Sequence, residues 1–190
     1  MNIGLFMWYD HVISSFADIN YKINKLYCEK YNIDIIKCNK KRYNNRRPHW
    51  ERIPLLLEYI SKYDYLIWID ADAFFYYDAN DIRNIINKNM NTNLIFSKDI
   101  GDKHVNTGFF IVKSSEYSKN FLKEWGYNED VRKYAFEKQG WFDQDGLIYM
   151  FENNMLDIKN NSIQYNYGIL QHFSLNDKDD KEEDKKKNKT

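Results

Sequence analysis

Asp70 and Asp72 stand one residue apart at the end of an apolar run, Tyr65-Leu66-Ile67-Trp68-Ile69. Two hard oxygen ligands at that spacing suit Mg²⁺ or Mn²⁺, which in turn holds a diphosphate. The run before them is too apolar for a surface strand and reads as a buried strand of a parallel sheet. The carboxylates then emerge at its carboxyl end, where open α/β sheets bind ligands. Ala71 and Ala73 are small, so a ligand can come close to the backbone, and Phe74 and Phe75 carry the apolar character past the acids. A D-x-D pair is most often a solvated loop or a helix cap. The buried platform shifts this one toward a metal site.

Three further segments carry polar groups suited to chemistry. Asn106-Thr107-Gly108 precedes the apolar Phe109-Phe110-Ile111-Val112, where it reads either as an ordinary turn or as a ligand contact. Asp143-Gln144 precedes an apolar helix; Asp143 is a good N-cap, and that competes with a catalytic role, while Gln144 reads equally as surface. His172, near the end of a strand-like piece, reads on its own as a partly buried structural residue. A basic loop at 39–47 holds Arg46 and Arg47, which suit a diphosphate chemically, although such loops are usually only solvated. His11, His49 and His104 have no partner pattern.

The elements that must position these groups alternate in type. Residues 2–8 read as a first buried strand. A helix follows to about Tyr31, capped by Ser14 or Ser15, with Phe16, Ile19, Ile23, Leu26 and Tyr27 along its buried stripe. Asp34–Cys38 is a second strand, which completes a βαβ unit. A helix from about Trp50 or Arg52 to Tyr63, with Pro54 in its first turn, leads into the strand that ends in D-x-D. Asp78 or Asn80 caps a helix to about Asn89, and Asn93–Ser97 is a strand. Ser114 or Ser115 caps the next helix, residues 128–138 are helical, and another helix runs from Leu147 to about Phe151. Strand-like pieces at Ile163–Tyr165 and Ile169–Phe173 close the fold. The expected class is α/β, a three-layer α/β/α sandwich on a mostly parallel sheet.

The chain's 190 residues suit one domain, expected over 1–175. From Asn176 onward both charge signs alternate without apolar periodicity, so residues 176–190 read as a disordered tail. The formal net charge is +0, which gives no argument for nucleic acid. Tyr, Phe and Trp make up 17%, more than a core needs, although an Asn-, Lys-, Ile- and Tyr-rich composition accounts for much of this. Tyr and Trp often line sites that hold sugars or bases. No signal peptide or membrane span is read, and two cysteines make no disulfide framework, so a soluble cytoplasmic protein is expected.

The Trp68–Ala73 strand end, Asn106-Thr107-Gly108-Phe109, Phe142-Asp143-Gln144-Asp145 and Gln171-His172-Phe173 together resemble a GT-A-fold glycosyltransferase. The likeness is to the α-galactosyl/α-mannosyl/xylosyltransferase family, which includes Golgi galactosyl- and mannosyltransferases and xyloglucan xylosyltransferases. Trp50-Glu51-Arg52-Ile53-Pro54 shares it, and glycogenin-type transferases are next closest. The resemblance implies that Asp70, Asp72 and His172 hold Mn²⁺, or Mg²⁺, against the diphosphate of a nucleotide-sugar donor such as a UDP- or GDP-sugar. It implies that Asn106 hydrogen-bonds the donor sugar, that Thr107 and Gly108 line the same site, and that Asp143 and Gln144 lie near the anomeric carbon and acceptor. The acceptor would be a glycan, a protein or a small molecule, and retention of configuration is implied. One departure follows His172: Phe173-Ser174-Leu175-Asn176-Asp177-Lys178 stands where the family carries a Gly and a Lys. The alternatives are a catalytically reduced carbohydrate-binding module on the same fold and a D-x-D phosphohydrolase with Asp70 as nucleophile.

Overall fold

The computed structural model describes residues 1–43, 45–101, 104–138 and 142–168. His172, the strand-like piece at Ile169–Phe173 and the charged tail lie outside the described residues. Among the described residues six strands form one sheet: β1 (Ile3–Trp8), β2 (Asp34–Cys38), β3 (Tyr65–Ile69), β4 (Leu94–Lys98), β5 (Val105–Lys113) and β6 (Ser162–Tyr165). Their order is β2-β1-β3-β5-β4-β6. β1 pairs parallel with β2 and β3, and β4 with β6, while β5 runs antiparallel between β3 and β4. The mostly parallel α/β sheet expected from sequence is present.

Helices cover both faces, as a sheet buried on both sides requires. On one face lie α1 (Ser14–Tyr31) and α3 (Arg83–Lys88), packing Ala17, Cys28 and Ile86 against Leu5, Ile67 and Ile111. On the other lie α2 (Arg52–Tyr59), α4 (Glu116–Tyr127), α5 (Glu129–Lys138) and α6 (Asp143–Glu152). There Ile53, Leu56, Phe121, Trp125 and Met150 meet Phe6, Leu66, Trp68 and Phe110. All five residues of β3 are buried, and successive side chains alternate between these two layers.

Several local expectations are corrected. Neither Ser14 nor Ser15 caps α1; Ile13 occupies that place, and the Ser14 hydroxyl donates to the His11 carbonyl at 3.0 Å. The apolar stripe of α1 is partly misplaced: Tyr27 is buried as expected, but Phe16, Ile19 and Leu26 are exposed, and Ala17, Asn24 and Cys28 complete the buried face. The reason is that this face must hold polar backbone as well as core. α2 stops at Tyr59 rather than Tyr63, and a short 3₁₀ turn over Pro48–Glu51 precedes it. α3 begins after Asp81, whose carboxylate accepts from Arg83 N at 2.9 Å, so Asp78 and Asn80 do not cap it. Ser115 does cap α4, accepting from Ser118 N at 3.1 Å.

Candidate active site

β3 ends with Asp70 N donating to the Gly108 carbonyl at 2.8 Å, so the first acid leaves the sheet still tied to β5. Asp70 lies two residues after Trp68 and therefore faces the α2 layer. Its Oδ1 accepts from Trp68 Nε1 at 2.7 Å and lies 3.1 Å from Arg52 Nη2. Its Oδ2 has no partner among the described residues. The carboxyl is raised above the usual aspartate range, chiefly by burial, with Arg52 opposing and the charge of Asp72 adding to the rise. Ala73 N bonds back to the Asp70 carbonyl at 3.0 Å, which closes a tight turn that leaves Asp72 exposed.

Asn106-Thr107-Gly108 is not a turn before a strand but part of β5. The β4–β5 register jumps there: Phe96 faces Phe110, yet Ser97 faces Asn106. Such a bulge bends the strand and re-aims its side chains. Asn106 Oδ1 accepts from Gly108 N at 2.7 Å, which leaves its amide nitrogen free of any described partner. Thr107 receives Gln144: the Gln144 Oε1 accepts from Thr107 N at 3.1 Å, and its Nε2 donates to Asp99 Oδ2 at 3.2 Å. Gln144 is 6% exposed, not a surface residue.

Asp143 is not the N-cap of its helix. Phe142 takes that place with φ 54°, and Asp143 is the first residue of α6, a start earlier than the Leu147 expected from sequence. Its carboxylate, 2% exposed, goes to Arg52, with Nε 3.2 Å from Oδ2, while its carbonyl accepts from Trp125 Nε1 at 2.8 Å. Burial pushes this carboxyl up to about 7, against the pull of Arg52 and with the charge of Asp70 adding to the rise.

Arg52 is the residue that sequence reasoning missed. It opens α2, is 3% exposed, and its guanidinium lies 5.0 Å from the Trp68 ring. Besides the two carboxylates it donates to the His49 carbonyl at 2.9 Å and to the Thr107 carbonyl. A planar fork of donors is what lets one side chain serve four partners. The Trp50–Pro54 segment drew notice in the sequence, but no local pattern there tells a buried arginine from a solvated one.

A second missed set lies on α1. Asn20, Asn24, Tyr27 and Tyr31 recur at helical spacing and hold the loop after D-x-D by its backbone. Asn20 Nδ2 donates to the Ala71 carbonyl at 2.9 Å, and Asn24 Nδ2 to that of Ala73 at 3.1 Å. Asn24 Oδ1 accepts from Phe75 N at 2.9 Å. The Tyr27 hydroxyl donates to Asn80 O at 2.8 Å and accepts from Ile82 N at 2.9 Å, and its ring stacks on Phe75 with centroids 3.8 Å apart. The Tyr31 hydroxyl donates to the Ala79 carbonyl at 2.9 Å.

Asp70, Asp72, Asn106, Thr107, Gly108 and Gln144 all line one cleft of about 970 Å³, at the upper end of ordinary ligand sites. Asp143 stands behind it on Arg52. Arg46 and Arg47 do not line it; they border a separate hollow, which corrects the diphosphate role considered for them. The sheet explains the gathering: the carboxyl end of β3 and the amino end of antiparallel β5 lie at the same edge.

Among the described residues no group of three or more His, Cys, Asp or Glu gathers to hold a metal. Two carboxylates at one cleft fit a hard cation that draws its other ligands from water and phosphate oxygens. No helix of the described residues is long and apolar enough to cross a membrane.

The family model described as nucleotide-diphospho-sugar transferase matches residues 10–190. Among solved structures, a glycosyltransferase involved in the glycosylation of the major capsid of PBCV-1 superposes with a TM-score of 0.69 at 14% identity, covering 87% of this chain and 82% of that one. The glycosyltransferase GlyE of Streptococcus pneumoniae TIGR4 does so with a TM-score of 0.57 at 11% identity, over 87% of this chain and 45% of that one. At these identities the likeness is one of fold. No curated protein sequence matches the chain.

Proposed function

The chain belongs to the nucleotide-diphospho-sugar transferase family, and from that premise we propose that it moves a hexose or pentose from a nucleoside-diphosphate sugar to a hydroxyl acceptor. The observation that carries this reading is the single cleft that gathers Asp70, Asp72, Asn106, Gly108 and Gln144. Asp70 and Asp72 are the residues that would hold Mn²⁺ or Mg²⁺, with His172 as a third ligand implied by the family resemblance. A bound divalent cation supplies Lewis-acid stabilisation of charge on the departing diphosphate.

The chain's own residues do the rest. Asn106 presents its free amide to the donor sugar, and Gly108 lets the substrate approach backbone. Arg52 holds Asp70 and Asp143 in place and keeps positive charge beneath the diphosphate end of the cleft. As the anomeric carbon–oxygen bond breaks, its electron pair leaves with the phosphate and positive charge develops on the sugar ring. In this reading the Gln144 carbonyl oxygen, which accepts from Thr107, stabilises that charge. The acceptor oxygen then bonds to the anomeric carbon, and its proton passes to the departing phosphate. Resemblance to the α-galactosyl/α-mannosyl/xylosyltransferases supports retention.

The test is binding followed by turnover. Mn²⁺ with a nucleoside diphosphate should raise the melting temperature, since a ligand held only by the native state stabilises it. Asp72→Ala should abolish both that shift and Mn²⁺-dependent hydrolysis of nucleotide sugars, with little effect on the unliganded melting temperature because Asp72 is exposed. No shift with any nucleoside diphosphate would overturn the reading, and binding without turnover would return the reduced-module alternative.

A further inference from the structure

A separate hollow of about 750 Å³ lies between the 45–50 segment and α5. Its lining is unlike that of the first: among the described residues Arg46, Arg47, Arg132 and Lys133 line it with one carboxylate, Glu129. Among the described residues none of these four cations is in an ion pair. The Arg46 guanidinium is committed to structure, donating to the Gly126 carbonyl at 2.5 Å and stacked 4.0 Å from the Tyr43 ring. Burial lowers its pKa, and the charge of Arg132 adds to the lowering. Arg47, Arg132 and Lys133 are exposed, and their charged ends make no hydrogen bond to any described residue.

The apolar part of the lining is aromatic. Trp50 and Phe142 form the wall, with Arg47 3.9 Å above the Phe142 ring, and Phe136 stands at the rim 82% exposed. An exposed phenylalanine at the mouth of a basic hollow contributes nothing to the core. Aromatic faces beside forked donors suit a ring with apolar C–H faces and a negative substituent.

Phe142 connects the hollow to the chemistry. It walls the basic hollow, while Gln144, two residues later, lines the donor cleft. The backbone between them turns sharply, with Phe142 at φ 54°, a conformation that non-glycine residues rarely adopt and that tends to occur at functional sites. Phe142 and Gln144, two residues apart, thus each line one of the two hollows.

We propose that this basic, aromatic hollow binds the acceptor, and that the acceptor is an anionic saccharide, its phosphate or carboxylate held by Arg47, Arg132 and Lys133 and its ring laid against the exposed Phe136. The inference rests on the transferase reading of the donor cleft.

The full chain, with Mn²⁺ and the nucleotide sugar it hydrolyses, is offered glucose, glucose 6-phosphate and glucuronate as acceptors. The anionic sugars should be used with a KM at least about tenfold below that of glucose, a preference that fades as salt is raised. The double variant R132E/K133E should erase the preference, while the melting shift with Mn²⁺ and nucleoside diphosphate persists. Phe136→Ala should raise KM for charged and neutral sugars alike. Equal use of glucose and its anionic relatives, or an unchanged preference in R132E/K133E, overturns the proposal while the donor shift keeps the transferase reading intact. Inorganic phosphate that competes as well as glucose 6-phosphate, or a single-stranded oligonucleotide that binds more tightly than either sugar, overturns it too. Loss of the donor shift in the unmodified chain would instead mark failure of the transferase reading itself.

Discussion

Arg52 Nε lies 3.2 Å from Asp143 Oδ2, and both side chains are almost fully buried. This pair joins the start of α2 to the start of α6 across the edge of the sheet. Its other hand reaches Asp70, so the acid at the end of β3 and the acid at the head of α6 share one cation.

Removing that cation leaves two carboxylates in a site built around it. Arg52→Leu should destabilise the protein by about 3–5 kcal/mol, the usual cost of orphaning a buried charge. Arg52→Lys should recover only part of this, since an ammonium keeps the charge but lacks the fork that reaches Asp70, Asp143 and Thr107 together. Denaturant unfolding at neutral pH measures both. A loss below about 1 kcal/mol for Arg52→Leu would mean that the pair does not hold the site.

The raised carboxyl of Asp143 ties stability to pH. An ordinary aspartate titrates near 3.8, and burial brings this one to about 7. Between those values the native chain holds a proton that the unfolded chain has released, so stability falls as pH rises. The contribution is fully present below about 4 and is lost as pH passes through about 7. Asp70, also raised, acts in the same direction. Melting temperatures from pH 4 to 8, without added metal, should therefore decline more steeply in the native sequence than in Asp143→Asn. Identical slopes would contradict the assignment.

Asn24 holds both sides of the turn after D-x-D, through the Ala73 carbonyl and the Phe75 amide. Asn24→Leu should cost about 1–3 kcal/mol for the backbone groups left unpaired. It should also weaken nucleoside-diphosphate binding in the presence of Mn²⁺, because the loop carrying Asp72 loses its anchor. Leu122→Ala, in the opposite layer, should lower stability by about 2–5 kcal/mol and leave that binding unchanged at temperatures well below unfolding. Equal binding losses in the two variants would make Asn24 a general packing residue.

Among local signals, runs of burial and the alternation of strand and helix carried furthest, whereas helix caps and ends did not. An apolar run ending in two acids defines β3 and the place of Asp70 and Asp72, since burial of every position shows in five consecutive residues. The alternation of strands and helices likewise yields an α/β sheet. Asn106-Thr107-Gly108 and Asp143-Gln144 stood out by residue type, but not by conformation. Whether the first was a turn or a bulge in β5 depended on its pairing with β4, far away in sequence.

The remainder belonged to the tertiary structure. Phe16, Ile19 and Leu26 promised a buried stripe on α1 together with Tyr27, yet only Tyr27 of these four is buried, and the helix turns Asn24 inward beside it because the backbone of a loop lies beneath. Arg46, Arg47 and Arg52 occupy one short segment, and only the fold sends Arg52 under Asp70 and the other two into a separate hollow. Local sequence registers how apolar and how regular a segment is. It does not register which distant group will share a charge with it, and that sharing sets the burial of Arg52, the titration of Asp143 and the shape of the cleft.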